Sequence, residues 1–119
     1  MTKQQLIGRY AIEGTNQDAQ ASPYKGYLKL SLDSFNRIIA QWDIGDSQTQ
    51  RGIGFMRDNV IVINFSYTGD DDMQYDGVVV YTCVSNHVLD GFWSEKQGDP
   101  LFLGSERCFR LGLQKEVLD

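Results

Sequence analysis

Apolar and polar residues alternate with a period of two through almost the whole chain, and turn-forming residues interrupt the pattern at short intervals. Strands with one buried and one wet face satisfy such a pattern; helices do not. In the segment from Tyr24 to Asp33, Leu28, Leu30 and Leu32 share one face while Lys25, Lys29 and Ser31 share the other. From Arg37 to Ile44, the residues Ile38, Ala40, Trp42 and Ile44 oppose Arg37, Gln41 and Asp43. Asp33-Ser-Phe-Asn36 between them reads as a tight turn.

Extending the pattern predicts strands near residues 5–13, 24–33, 37–45, 50–57, 59–67, 75–85, 88–94 and 101–111, with a short helical turn in Gln114 to Asp119. Residues 1–119 are expected to form a single domain, since a chain of this length buries enough surface to fold without a metal or disulfide. Hairpin-length connections favour an antiparallel meander, and closure into a barrel removes the two exposed edges of an open sheet. Glycines inside the strands, among them Gly8, Gly26, Gly52, Gly54, Gly77, Gly91 and Gly104, fit strands that bend or approach another group closely. The competing architecture is a two-sheet sandwich with glycine bulges. In a meander the longer loops at 14–23, 46–49, 69–74 and 95–100 ring one mouth, and the short turns at 33–36, 57–59 and 85–87 lie at the other end.

Charge narrows the partners. The net charge of −5, with 11 basic and 16 acidic residues, repels phosphate backbones, so no nucleic-acid partner is expected. No apolar stretch approaches the ~20 residues of a membrane span, and no signal-peptide core follows Met1, which predicts a cytoplasmic protein. Cys83, Cys108 and the lone His87 are too few and too scattered for a zinc site, and no cofactor is expected. In a reducing compartment the two cysteines are strand residues rather than a disulfide. Without a histidine near a Ser or Cys nucleophile, triad hydrolysis is disfavoured, and Gly52-Ile-Gly54 is too short for a nucleotide fingerprint.

The order of Gly8-Arg-Tyr10, Glu13-Gly-Thr-Asn16, Tyr24-Lys-Gly26, Trp42-Asp-Ile-Gly45, Gly52-Ile-Gly54, Gly77-Val-Val-Val-Tyr81, Leu89-Asp-Gly-Phe-Trp93 and Gly104-Ser-Glu106 resembles a family of small, largely uncharacterised bacterial β-barrel proteins. It is also similar to the calycin group of avidins, lipocalins and fatty-acid-binding proteins. That resemblance implies an eight-stranded, calycin-like, up-and-down barrel holding a small hydrophobic or amphipathic ligand. Gly8-Arg9-Tyr10 resembles the Gly-x-Trp that opens many calycin barrels, with Arg107 or Arg110 as the arginine that packs on the aromatic ring. A set of biotin-contacting residues is absent, so no avidin activity follows.

Parity turns Trp42 and Trp93 inward, where with Tyr10 and Tyr81 they either line a pocket or fill the core. Glu106 on the last strand and Glu13 on the first invite an acid–base reading, with an isomerase or cyclase as the distant enzymatic alternative. The structural alternative is a buried Glu106 bonded to Tyr81 or an arginine. The candidate ligand-binding set is therefore Tyr10, Trp42, Tyr81, Trp93 and Glu106, within a protein read as more binder than enzyme. Asp70-Asp71-Asp72 and Asp76 carry the oxygen chemistry of calcium sites but lack the spacing of a calcium loop, which favours a solvated turn. With Asp18, Asp46, Glu95 and Asp99 they make the mouth acidic, favouring cationic or neutral ligands.

Ile39, Ile53, Phe55, Ile61, Ile63, Phe65, Val78 and Val80 are expected on the faces opposite the pocket, an apolar stripe that predicts a homo-oligomer. Strand five can be turned the other way, with Val60, Val62, Asn64 and Ser66 outward, and the stripe then shrinks. The alternative function is accordingly an interaction module with a filled interior.

Overall fold

A computed structural model, which describes residues 1–112, turns this alternation into eight antiparallel strands. They are β1 (Gly8–Thr15), β2 (Pro23–Leu32), β3 (Ile38–Ile44), β4 (Gln48–Arg57), β5 (Val60–Thr68), β6 (Gln74–Cys83), β7 (Val88–Glu95) and β8 (Gly104–Arg110). Each strand pairs with its neighbours in sequence, and β8 pairs back on β1 through Ile12 with Cys108 and Gly14 with Glu106. The fold is therefore an all-β, closed, up-and-down barrel, with neither the free edges of an open sheet nor the two layers of a sandwich. The helical turn expected at 114–119 lies outside the described residues.

Inward positions follow the predicted faces on β2 and β3, where Leu28, Leu30, Ile38, Ala40 and Trp42 are buried. Strand β5 takes the second of its two orientations. Ile61 and Ile63 are fully buried and Phe65 is nearly so, which removes all three from the expected outer stripe. The reason lies in the neighbouring glycines. Gly52 pairs with Phe65 and Gly54 with Ile63, and a methyl group added at Gly54 would meet the Ile63 side chain at 2.9 Å. Bulky inward residues on β5 occupy the room that inward glycines on β4 vacate.

The same pairing of glycine with a large side chain recurs around the wall. Gly77 faces Phe65, Gly91 faces Tyr81, Gly14 faces Tyr24 and Gly104 faces Trp93 across adjacent strands. At Gly104 a Cβ would lie 2.0 Å from the Trp93 indole, so the ring lies flat against bare backbone.

The end with the short turns is closed by a feature not expected from the alternation. A helix, α1 (Lys3–Leu6), precedes β1, so the strand expected from residue 5 begins at Gly8. Thr2 caps this turn, accepting from the Gln5 amide while the Gln5 side chain accepts from the Thr2 amide at 2.8 Å. Leu6 is thereby buried under the barrel, and the Tyr10 hydroxyl donates to its carbonyl at 2.8 Å. Arg110 lies 4.9 Å from the centre of the Tyr10 ring and donates to the carbonyls of Gln5, Ile7 and Asn86. The arginine-on-aromatic contact expected from Gly8-Arg9-Tyr10 is present, with Arg110 as its cation. At the other end β8 starts at Gly104 rather than 101, because Leu101 and Leu103 are exposed in the connection after Pro100.

Candidate functional site

Connections 16–22, 45–47, 69–73 and 96–103 gather at one end, as the meander's parity requires. Below them the barrel contains a cavity of about 300 Å³. Its walls carry Tyr24 from β2, Trp42 from β3, Phe65 and Tyr67 from β5, Trp93 from β7 and Glu106 from β8. Asn16, Gln48, Gln50 and Glu95 add polar groups nearer the loops.

Three pairs of these rings pack edge to face, while Phe65 and Tyr67 stack. Trp42 and Phe65 are 6.0 Å apart, Phe65 and Trp93 6.1 Å, and Trp93 and Tyr24 6.4 Å, each pair steeply inclined. Edge-to-face contact fixes the rings in place and exposes parts of several faces to one volume. Gly104, Gly77 and Gly14 make that arrangement possible by letting Trp93, Phe65 and Tyr24 lie against the sheet.

Glu106 forms the polar floor. One carboxylate oxygen accepts from the Tyr81 hydroxyl and the other from the Tyr24 hydroxyl at 2.5 Å. Tyr81 in turn accepts from Trp42 Nε1 at 3.0 Å, which obliges its own proton to point at Glu106. Burial raises the Glu106 carboxyl above its usual range, against the opposing effect of these hydroxyl donors. Tyr24 and Tyr81 are raised far above an ordinary phenol, first by burial and then by the adjacent carboxylate. Burial likewise raises the Cys108 thiol, whose sulfur lies 3.9 Å from Glu106. Nearer the mouth the Tyr67 hydroxyl donates to Glu95, and burial is again the first cause of its raised pKa.

One polar atom is left over. Trp93 Nε1 is buried and has no hydrogen-bond partner among the described residues, although the indole lines the cavity. That nitrogen lies against the backbone of Gly104, where an added Cβ would stand 2.4 Å from it, and its influence falls on the neighbouring Tyr24 hydroxyl rather than on the open volume.

Of the residues singled out from sequence, Trp42, Trp93 and Glu106 line this cavity. Tyr81 sits fully buried behind Glu106 and acts on the cavity through it. Tyr10 lies at the opposite, closed end under Arg110, so it belongs with the plug and not with the cavity wall. Glu13 and Glu106 do not form a carboxylate pair. Glu13 is exposed opposite Arg107 while Glu106 points inward, because adjacent register positions on paired strands face opposite sides. Tyr24, Phe65, Tyr67 and Glu95 complete the cavity wall beyond the expected set. Parity from Leu28 back to Tyr24, and the pairing of Gly14 with Tyr24, carry the signal for the first of these.

The acidic run at the mouth is occupied with its own turn. Asp71 accepts from the Met73 amide at 3.0 Å and from the Tyr75 hydroxyl at 2.6 Å, which hold its carboxyl below the usual range. Among the described residues no group of three or more His, Cys, Asp or Glu side chains is placed to hold a metal ion. Gln17 ties the mouth together, accepting from the Glu95 amide at 2.9 Å and donating to Ser94 Oγ at 2.9 Å. His87 is exposed in the turn between β6 and β7, and Cys83 and Cys108 are free, buried thiols. No described helix is long and apolar enough to cross a membrane.

No protein-family model matches the chain, and no curated protein matches it significantly. Among solved structures it is similar to a redesigned β-barrel, with a TM-score of 0.72 and 14% identity over 92% of this chain and 95% of that one. The eight-stranded barrel is thus a shared architecture. At that identity the likeness concerns the fold alone.

Proposed function

We propose that this chain binds a small, largely apolar or amphipathic molecule inside the barrel, at the end ringed by its longer loops, without chemically transforming it. The observation that carries the reading is the cavity of about 300 Å³ at the loop end, walled by Tyr24, Trp42, Phe65, Tyr67 and Trp93. An apolar body is accommodated by Trp42, Phe65 and Trp93, with Glu106 and the polar groups near the loops available to a polar end. The resemblance of the strand punctuation to calycin barrels points the same way. Glu106, already engaged by two tyrosine hydroxyls, serves as an anchor rather than a proton shuttle. Native mass spectrometry of gently purified protein, followed by titration with an environment-sensitive lipophilic dye, tests the proposal. A retained small molecule, or dye binding that Gln50→Trp abolishes by filling the cavity while the folded circular-dichroism spectrum persists, is expected. Absence of both would overturn it.

A second reading, association with another copy of the chain, is favoured by the outer wall. Phe55, Val62, Val80 and Phe92 form one uninterrupted cross-strand row over β4 to β7, with Phe55 61% and Phe92 51% exposed. The adjacent row runs Arg57, Val60, Thr82, Asp90. A two-fold axis along the strands between β5 and β6 lays Phe55 of one copy over Phe92 of the other and Arg57 over Asp90, matching apolar with apolar and cation with anion. Light scattering is expected to report a dimer that Phe55→Glu converts to a monomer. A monomeric parent at high concentration would rule the interface out.

A further inference from the structure

The interior contains two carboxylates, Glu95 and Glu106, and among the described residues no lysine, arginine or histidine lines it. Glu106 is 6% exposed, and the groups bonded to it, two tyrosine hydroxyls and the Cys108 thiol, are neutral. Burying a carboxylate without a counter-charge is costly, and hydroxyl donors replace only part of its lost hydration. Its four lone-pair positions also exceed the two hydroxyls and one thiol that reach it. Glu95 has one oxygen engaged by Tyr67 and no salt bridge among the described residues. The same cavity is lined by the rings of Tyr24, Trp42, Phe65, Tyr67 and Trp93. Aromatic faces attract cations through their quadrupole, more strongly where water is excluded. Carboxylates, aromatic faces and a missing counter-ion converge on one volume.

We infer that the ligand of the barrel interior is an organic cation, a protonated or quaternary amine on a compact apolar body, whose charge is received by the aromatic wall together with Glu95 and Glu106. The inference rests on the proposed interior binding and specifies its chemistry. A cation supplies what the site lacks, whereas an anion meets two carboxylates and a neutral molecule leaves Glu106 uncompensated. The raised pKa of the Glu106 carboxyl agrees, since it reports a charge that the surrounding protein stabilises poorly. The acidic residues of the surrounding loops, Asp18, Asp46, Asp70 and Asp99, favour entry of the same ligands.

A matched pair of probes separates charge from shape. Benzyltrimethylammonium and its neutral carbon isostere neopentylbenzene have the same outline and differ by one positive charge. Both are titrated against the intact protein by displacement of the lipophilic dye and by quenching of the two tryptophans. The cation is expected to bind about ten-fold or more tightly than the isostere, an order set by desolvated cation–aromatic and charge contacts. Glu95→Gln at the mouth and Glu106→Gln at the floor are each expected to reduce that preference several-fold, and the isostere's affinity stays within about two-fold. Should Glu106→Gln fail to fold, Glu95→Gln alone carries the comparison. Equal affinity of the two probes, or tighter binding of the neutral one, overturns the cationic assignment and leaves interior binding intact. Dye, cation and isostere all failing to bind overturns both.

Discussion

At the scale of single residues, the site depends on positions where a side chain is missing. A methyl group at Gly104 would stand 2.0 Å from the Trp93 ring, and one at Gly14 would stand 2.3 Å from Tyr24. Gly104→Ala is therefore expected to displace Trp93 and to destabilise the protein by about 1–3 kcal/mol, measurable by denaturant unfolding followed through tryptophan emission. Trp42→Phe removes the donor to Tyr81 and should cost about 1 kcal/mol in the same assay. Glu106 gives a pH dependence whose sign follows from its burial. Its carboxyl is raised above 4.5, so the folded chain holds that proton more tightly than the unfolded chain. Below the unfolded value the group is neutral in both states. As the pH climbs from there through the raised folded value, stability declines, and the cost persists at higher pH. Unfolding measured at a series of pH values should show that decline in the parent and a flatter profile in Glu106→Gln.

At the scale of elements, the barrel is a sheet with one plugged end and one open end. Alternation alone made the eight strands and their order legible, since Leu28, Leu30, Ile38, Ala40 and Trp42 repeat with the strand period. Strand β5 was ambiguous because apolar residues occupy both of its faces, Val60 and Val62 on one and Ile61, Ile63 and Phe65 on the other. Only its register against Gly52 and Gly54 decides between them. Helix α1 is too short for a helical periodicity to register, yet Thr2-Lys-Gln-Gln5 carries the spacing of a capping box. Tyr10 reads as a pocket residue from parity, because parity gives the inward direction but not the height along the barrel. Its place under Arg110 depends on the plug. Arg110→Ala, which deletes the contacts to Gln5, Ile7, Asn86 and the Tyr10 ring, is expected to cost about 1–3 kcal/mol and to speed amide exchange in residues 3–8.

At the scale of the whole molecule, glycines that seat large rings accompany a cavity at the loop end, while Leu6 and Tyr10 are buried at the other end. Nothing in a linear pattern distinguishes rings that fill a barrel from rings that line one. That difference arises from steep packing of Trp42, Phe65 and Trp93 against each other and against bare backbone. The outer apolar row and the inner cavity occupy opposite faces of the same strands, so binding and self-association can coexist. The central claim is interior binding, and the two tryptophans give it a direct readout. Each contributes one indole N–H signal to a nitrogen–proton correlation spectrum, and Trp93→Phe assigns them. On titration with benzyltrimethylammonium or the lipophilic dye, the indole signals are predicted to move, since both Trp42 and Trp93 line the cavity. If both indole signals stay fixed through the titrations, no ligand enters the barrel and the account is wrong.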